Sequence, residues 1–361
     1  MIATPEYPSR WLMTTAVLAV TMMFGARASR AVVPPTPATR PLTSVPAPYV
    51  PEPRHPSDAP RRSDPIAARA YGSLVYAAVV DDADLYWTQA DLTGPTQSYT
   101  PYATLWHAPK SGAPEQIAVS AGYSLALDRD HLYYTDAARS TIRVVDRRDR
   151  TDRILARSAT EPVVVVAGGA YVYWASSDGI RRVAKDGGAV LTWRGGESSI
   201  AADDEFFYYY TSAGEVFAIR HGEDGPPRRL ATGLSDPSDL AVVGETLYMT
   251  AGDRLFGVPR TGGSLRWIAT GGRASSLAVS QGDLYWTSWD DDRAKATATS
   301  DCESFNLGAV RRVHGTTIET IAVGCSVRNV AASDSTIFVV NDGQLTRVRR
   351  DREAEEGQIY R

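Results

Sequence analysis

Apolar and polar positions alternate along this chain in short bursts, and one burst recurs. Its clearest form is Gly282-Asp283-Leu284-Tyr285-Trp286-Thr287. Seven variants of its core are Leu85-Tyr86-Trp87-Thr88, Leu132-Tyr133-Tyr134-Thr135, Val172-Tyr173-Trp174-Ala175, Tyr208-Tyr209-Tyr210-Thr211, Leu247-Tyr248-Met249-Thr250, Leu284-Tyr285-Trp286-Thr287 and Ile337-Phe338-Val339-Val340. The steps between their second residues are 47, 40, 36, 39, 37 and 53. Aromatic and β-branched cores suit a pleated, half-buried strand. A period near 40 built on strands predicts propeller blades rather than a helical solenoid. Just upstream of each core lies a run of small or apolar residues, such as Leu277-Ala278-Val279 or Val330-Ala331-Ala332, separated from it by turn residues. Run and core together read as a hairpin. Downstream comes a third strand, as in Val310-Arg311-Arg312-Val313. A turn such as Arg260-Thr261-Gly262-Gly263 then leads to a fourth, as in Leu265-Arg266-Trp267-Ile268.

The pattern specifies an all-β, seven-bladed propeller of four-stranded antiparallel blades. Small first strands crowd round a central channel, and bulky second strands supply the packing between blades. The seventh repeat shows three strands before the charged tail, so a strand from the N-terminal side should close the ring. Tyr71-Gly72-Ser73-Leu74-Val75 is the expected donor. If it does not pair there, a six-bladed ring with one irregular piece is the alternative.

The segments Ala278-Val279 to Thr287, Leu132-Tyr133-Tyr134-Thr135-Asp136, and Asp236-Pro237-Ser238-Asp239-Leu240-Ala241-Val242 resemble the YWTD and NHL-like β-propellers. The resemblance spans roughly residues 70–350 and implies the propeller fold. Only Asp136 supplies the terminal acid of the YWTD consensus, so no ligand contact of that family is carried over.

Composition divides the rest of the chain. Residues 1–28 read as a secretory signal: Arg10 precedes an apolar run from Trp11 to Phe24, and Ala26-Arg27-Ala28 fits a small-x-small cleavage site. Residues 29–66 read as a linker, because eleven of the 22 prolines fall between Pro34 and Pro65. Such a segment buries no core and acts as a semi-rigid spacer. Residues 67–350 form the propeller and 351–361 a charged tail. The chain of 361 residues carries a formal charge of -4, which makes no electrostatic case for nucleic acid. The expectation is an extracytoplasmic monomer with no membrane span in the mature chain. Its partner would be a protein or a cell-envelope component.

The two cysteines, Cys302 and Cys325, fall in the long insertion of blade six and after its fourth strand. Those connections emerge on one face, and export favours oxidation, so a disulfide is expected. It would close a loop of about 23 residues, worth roughly 3 kcal/mol in the chain-entropy picture. The insertions Gln89–Ala103 and Ser288–Asn306 decorate the same face. Function concentrates on loops held by a rigid scaffold. The candidate surface is therefore Tyr99, Tyr102, Arg273, Trp289, Asp290, Asp291, Asp292 and Arg328. Three consecutive acids could hold Ca²⁺ weakly, but they lack the alternating ligands of a calcium loop. The five histidines are scattered, and no nucleophile elbow or phosphate-cradling loop is visible. A non-catalytic binding propeller is the leading expectation. The alternative is a propeller enzyme, such as a lyase, lactonase or other hydrolase, working at the channel mouth. What lines that mouth separates the two.

Overall fold

The computed structural model describes residues 63–65, 73–91, 103–109, 112–193, 199–289, 307–325, 327–341 and 344–349. Among them are seven antiparallel sheets of four strands each and a single 3-10 turn, Ala137–Arg139. Blade six shows the plan: an inner strand Arg273–Ser280, a second strand Asp283–Trp289, a third Leu307–His314 and an outer strand Thr317–Cys325. The inner strands of the other blades, one to five and then seven, are Ser73–Val80, Leu125–Leu127, Pro162–Gly168, Ile200–Ala202, Pro237–Val243 and Val327–Ala332.

The closing strand differs from the expected one. Ser63–Pro65 pairs with Gln344–Arg349 through Ser63↔Val348, Asp64↔Arg347 and Pro65↔Thr346, and becomes the outer strand of blade seven. Ser73–Val75, taken as the donor, instead begins the inner strand of blade one, opposite Gln89–Asp91. The physical reason is reach. A chain that enters the channel to start blade one must first pass the outer rim, so the rim strand comes earlier in sequence. The donor therefore lies inside the stretch assigned to the linker. Seven blades are present, and the six-bladed alternative falls.

The core is a set of slabs, one in each gap between blades. Val75, Trp87 and Ala108 of blade one pack on Ala331, Phe338 and Leu345 of blade seven. Six further clusters fill the remaining gaps, which makes the ring continuous. Doubled aromatics follow from strand geometry, since successive side chains point to opposite faces of a sheet. In blade three Tyr173 faces blade four while Trp174 faces blade two. In blade six Tyr285 faces blade seven and Trp286 faces blade five. Each tandem pair thus packs one blade against both of its neighbours.

On the lower face, where inner strands end, polar clasps repeat the linkage. The Asp128 carboxylate caps its own turn through the His131 and Asp130 amides at 2.8 and 3.0 Å. It also accepts from the Tyr133 hydroxyl at 3.0 Å and pairs with Lys185 of the next blade at 2.9 Å. Asp203 does the same with Tyr208 and with Arg260 of blade five. Burial works to raise the Asp128 carboxyl, but the Lys185 and amide hydrogen bonds outweigh it and hold it below its ordinary value.

Candidate ligand site at the channel mouth

The upper face is where inner strands begin and second strands end. Five of the seven inner strands carry a register shift at that level. The shifts lie between Val75 and Ala77, Pro162 and Val164, Pro237 and Asp239, Ala274 and Ser276, and Val327 and Asn329. Each leaves one residue over: Tyr76, Val163, Ser238, Ser275 and Arg328. A β-bulge bends its strand and re-aims a side chain, and bulges gather beside functional sites. Here they put an arc of side chains round one end of the channel.

The arc is laced from blade to blade by side chains. Inner strands have open edges whose backbone groups need partners. The Ser238 hydroxyl donates to the Ala274 carbonyl of the next blade at 3.1 Å and lies 2.7 Å from the Thr250 hydroxyl. One blade on, the Ser275 and Thr287 hydroxyls lie 3.1 and 3.3 Å from the Arg328 carbonyl oxygen, and 2.8 Å from each other. Thr287, which ends the core of blade six, thus helps suture that blade to the next, whereas the hydroxyls of Thr88 and Thr135 at the same place in blades one and two make no such bond. Between blades two and three the Val165 amide donates to the Ser124 hydroxyl at 3.0 Å.

Asp239 extends the lacing across three blades. Its carboxylate accepts from its neighbour's amide at Leu240 (2.9 Å), from the Leu277 amide of blade six (2.8 Å) and from the Ser199 hydroxyl of blade four (3.2 Å). Burial raises the Asp239 carboxyl to about 6, because desolvation outweighs those three hydrogen bonds. Among the described inner-strand residues the charged side chains are Asp239, Arg273 and Arg328. Two tyrosines complete the arc on the side of blades one and two. Tyr76 and Tyr123 meet edge to face with centroids 5.0 Å apart.

Of the eight residues expected to form the site, three fall within the described part, and the structure places all three at this end of blades six and seven. Arg273 and Trp289 sit opposite each other in the register of blade six. The Arg273 guanidinium lies 5.1 Å from the Trp289 ring centre and 3.2 Å from Asp236 Oδ2. Arg328 is exposed at its bulge, with its backbone held by the two hydroxyls above. Tyr99, Tyr102, Asp290, Asp291 and Asp292 lie outside the described residues, as does Cys302. Cys325 ends the outer strand of blade six, and there is no free thiol among the described residues. Of the bulge residues only Arg328 was expected from the sequence; Tyr76, Val163, Ser238 and Ser275 were missed, as was Asp239. A signal existed in the pairs Ser238-Asp239, Ser275-Ser276 and Arg328-Asn329, each just before a small or apolar run.

Among the described residues the histidines serve the scaffold. His107 is buried with Nε2 2.8 Å from Asp84 and Nδ1 3.0 Å from Glu115. His221 lies 2.7 Å from the Tyr173 hydroxyl and 2.8 Å from the Asp203 carbonyl. His314 contacts Asp283.

No family model matches the chain, and no curated protein does. Solved structures match well in shape. The WD40 β-propeller domain of Doa1 is 13% identical, with a TM-score of 0.58 over 81% of this chain and 97% of that one. The extracellular domain of a putative hybrid two-component system of B. thetaiotaomicron is 14% identical with a TM-score of 0.57; the match covers 81% of this chain but only 40% of that one. Hydrazine synthase of Kuenenia stuttgartiensis is 12% identical with a TM-score of 0.53, covering 84% and 99%. Proteins so different share this shape that the likeness establishes the fold alone. The chain folds as a seven-bladed β-propeller.

Proposed function

We propose that this chain is an exported, non-catalytic binding propeller that recognises a protein or cell-envelope component through its upper face. The observation that carries this is the mouth itself. Bulged inner strands, locked by hydroxyl and carboxylate bonds between blades, present Arg273, Trp289 and Arg328 at one end of the channel. Aromatic and arginine anchors on a rigid frame are the usual carriers of binding energy. The repeats are of the YWTD or NHL-like kind, residues 1–28 act as the export signal, and residues 29–62 hold the ring away from its point of attachment. A Cys302–Cys325 disulfide fastens the blade-six insertion beside the mouth.

The test is capture from an extracytoplasmic extract with the full propeller, repeated after residues 92–102 and 290–306 are replaced by short glycine-serine turns. A partner held by the parent and lost from the variant supports the upper face. Undiminished capture would overturn it. Asp239 supports a second role, a propeller enzyme of the lyase, lactonase or hydrolase kind, with that carboxyl as its acid or base. Hydrolysis of ester or lactone probes that disappears in Asp239→Asn would favour it over binding.

A further inference from the structure

The outer strand of each blade has one edge with no neighbouring strand, and such an edge is a template for another strand. Charge on the strand discourages that pairing. Asp64, Glu115, Arg153, Arg228, Arg266 and Glu319 supply it on the outer strands of blades seven, one, two, four, five and six. Blade three is the exception. Its outer strand, Leu191–Trp193, carries no charged residue. On one side it pairs with the third strand, through Leu191↔Arg182, Thr192↔Arg181 and Trp193↔Ile180; on the other no described strand lies against it.

The run that leads into this strand is uncharged as well. From Gly187 to Trp193 it reads Gly-Gly-Ala-Val-Leu-Thr-Trp. Val190 and Leu191 stand side by side at the edge, 37% and 41% exposed. Val119 and Ile154 are also exposed on outer strands, but each shares its strand with Glu115 or Arg153. Among the described residues no heavy atom lies within 4 Å of where a side chain at Gly187 or Gly188 would begin, so the space at the head of the run is open.

The charges that bound the run decide what fits it. Asp186 precedes it, exposed, and Arg194 follows it. A two-fold axis at Val190, or between Val190 and Leu191, lays two copies of the run antiparallel. Asp186 of each copy then comes level with Arg194 of the other at both ends, and aliphatic side chains meet between them. Opposite charges across a strand pair stabilise it, and a two-fold contact requires a patch complementary to itself.

We propose that the open edge of blade three binds a second copy of this chain, strand to strand, in an antiparallel two-fold dimer. The contact joins two four-stranded blades into one eight-stranded sheet. Edges this short bury less than about 1,200 Å², so the dimer belongs with weak complexes of micromolar Kd. The monomer expected at the outset is then its dilute form. The edge lies on the outer rim, away from the mouth, so this inference stands apart from the reading of the upper face.

The test is sedimentation velocity with light scattering on the full propeller, from about 1 to 200 µM, a range that spans a micromolar Kd. The mass should rise toward twice the monomer value. Leu191→Lys, a charge placed on the edge at an exposed position, should weaken the dimer at least about tenfold. Asp186→Arg should weaken it by about tenfold, and Asp186→Arg combined with Arg194→Asp should return it to within about threefold of the parent. Thermal melts of the variants should match the parent's. A parent that stays monomeric at the highest concentration, or a dimer indifferent to Leu191→Lys, would overturn the proposal. So would a charge exchange that restores nothing, because only the antiparallel pairing of two like copies brings those two positions together. A monomer that takes up an extended segment of another protein at this edge, and loses it in Leu191→Lys, would overturn the second copy as the occupant.

Discussion

Asp239 makes the sharpest test of how the ring is held together. Its carboxyl sits about two pH units above its ordinary 3.8, at about 6, because it is drawn out of water between blades four, five and six. At about 1.36 kcal/mol per pH unit, the gap corresponds to about 3 kcal/mol. The group is half-buried, so solvent screening makes that an upper bound. The sign follows from linkage. The unfolded chain loses this proton near pH 4, whereas the folded ring keeps it to about 6. The carboxyl's favourable contribution is therefore complete below about pH 4, declines between pH 4 and 6, and is gone above. Asp128 runs the other way: its carboxyl is held low, so its contribution is lost as pH falls. Comparing the parent with Asp239→Asn at each pH cancels Asp128 and every other shared group. Urea unfolding of both proteins at half-unit steps from pH 4 to 7.5 gives the difference directly. The parent's advantage over the variant should shrink by about 2–3 kcal/mol across that range. A constant offset between the two curves would show that Asp239 ionises as an ordinary surface acid, and the account of the three-blade clasp would fail.

Thr287→Val keeps the shape of a fully buried side chain and removes the hydroxyl that joins Ser275 and the Arg328 carbonyl; unfolding should cost about 1–2 kcal/mol less, while Thr287→Ser stays close to the parent. Trp174→Ala empties the gap between blades two and three and should lower stability by about 3–5 kcal/mol in the same assay, whereas the exposed Trp267 should tolerate alanine with under ~1 kcal/mol lost. Non-reducing peptide mapping should recover Cys302 and Cys325 in one linked fragment, and reduction should lower stability by about 3 kcal/mol; two separately alkylated thiols would refute the staple.

Much of the fold is written locally. Tandem aromatics such as Tyr285-Trp286 can sit between two neighbours only if alternate side chains leave opposite faces of a sheet, and that period-two rule needs no knowledge of the whole. Repetition near 40 residues then implies a ring, because no single hairpin can bury both aromatic faces. Closure is different in kind. Ser63–Pro65 is short, rich in polar neighbours and indistinguishable from linker until its partner strand, 344–349, arrives from the far end of the chain. The mouth is different again. That Ser275 and Thr287 reach the Arg328 carbonyl, or that Asp239 reaches Leu277, depends on where bulges bend five strands round a common axis. Local propensity selects strand and turn, because each residue senses its immediate neighbours. Which hydroxyl meets which carbonyl across a gap is set by the angle between blades, and that angle exists only once the circle has closed.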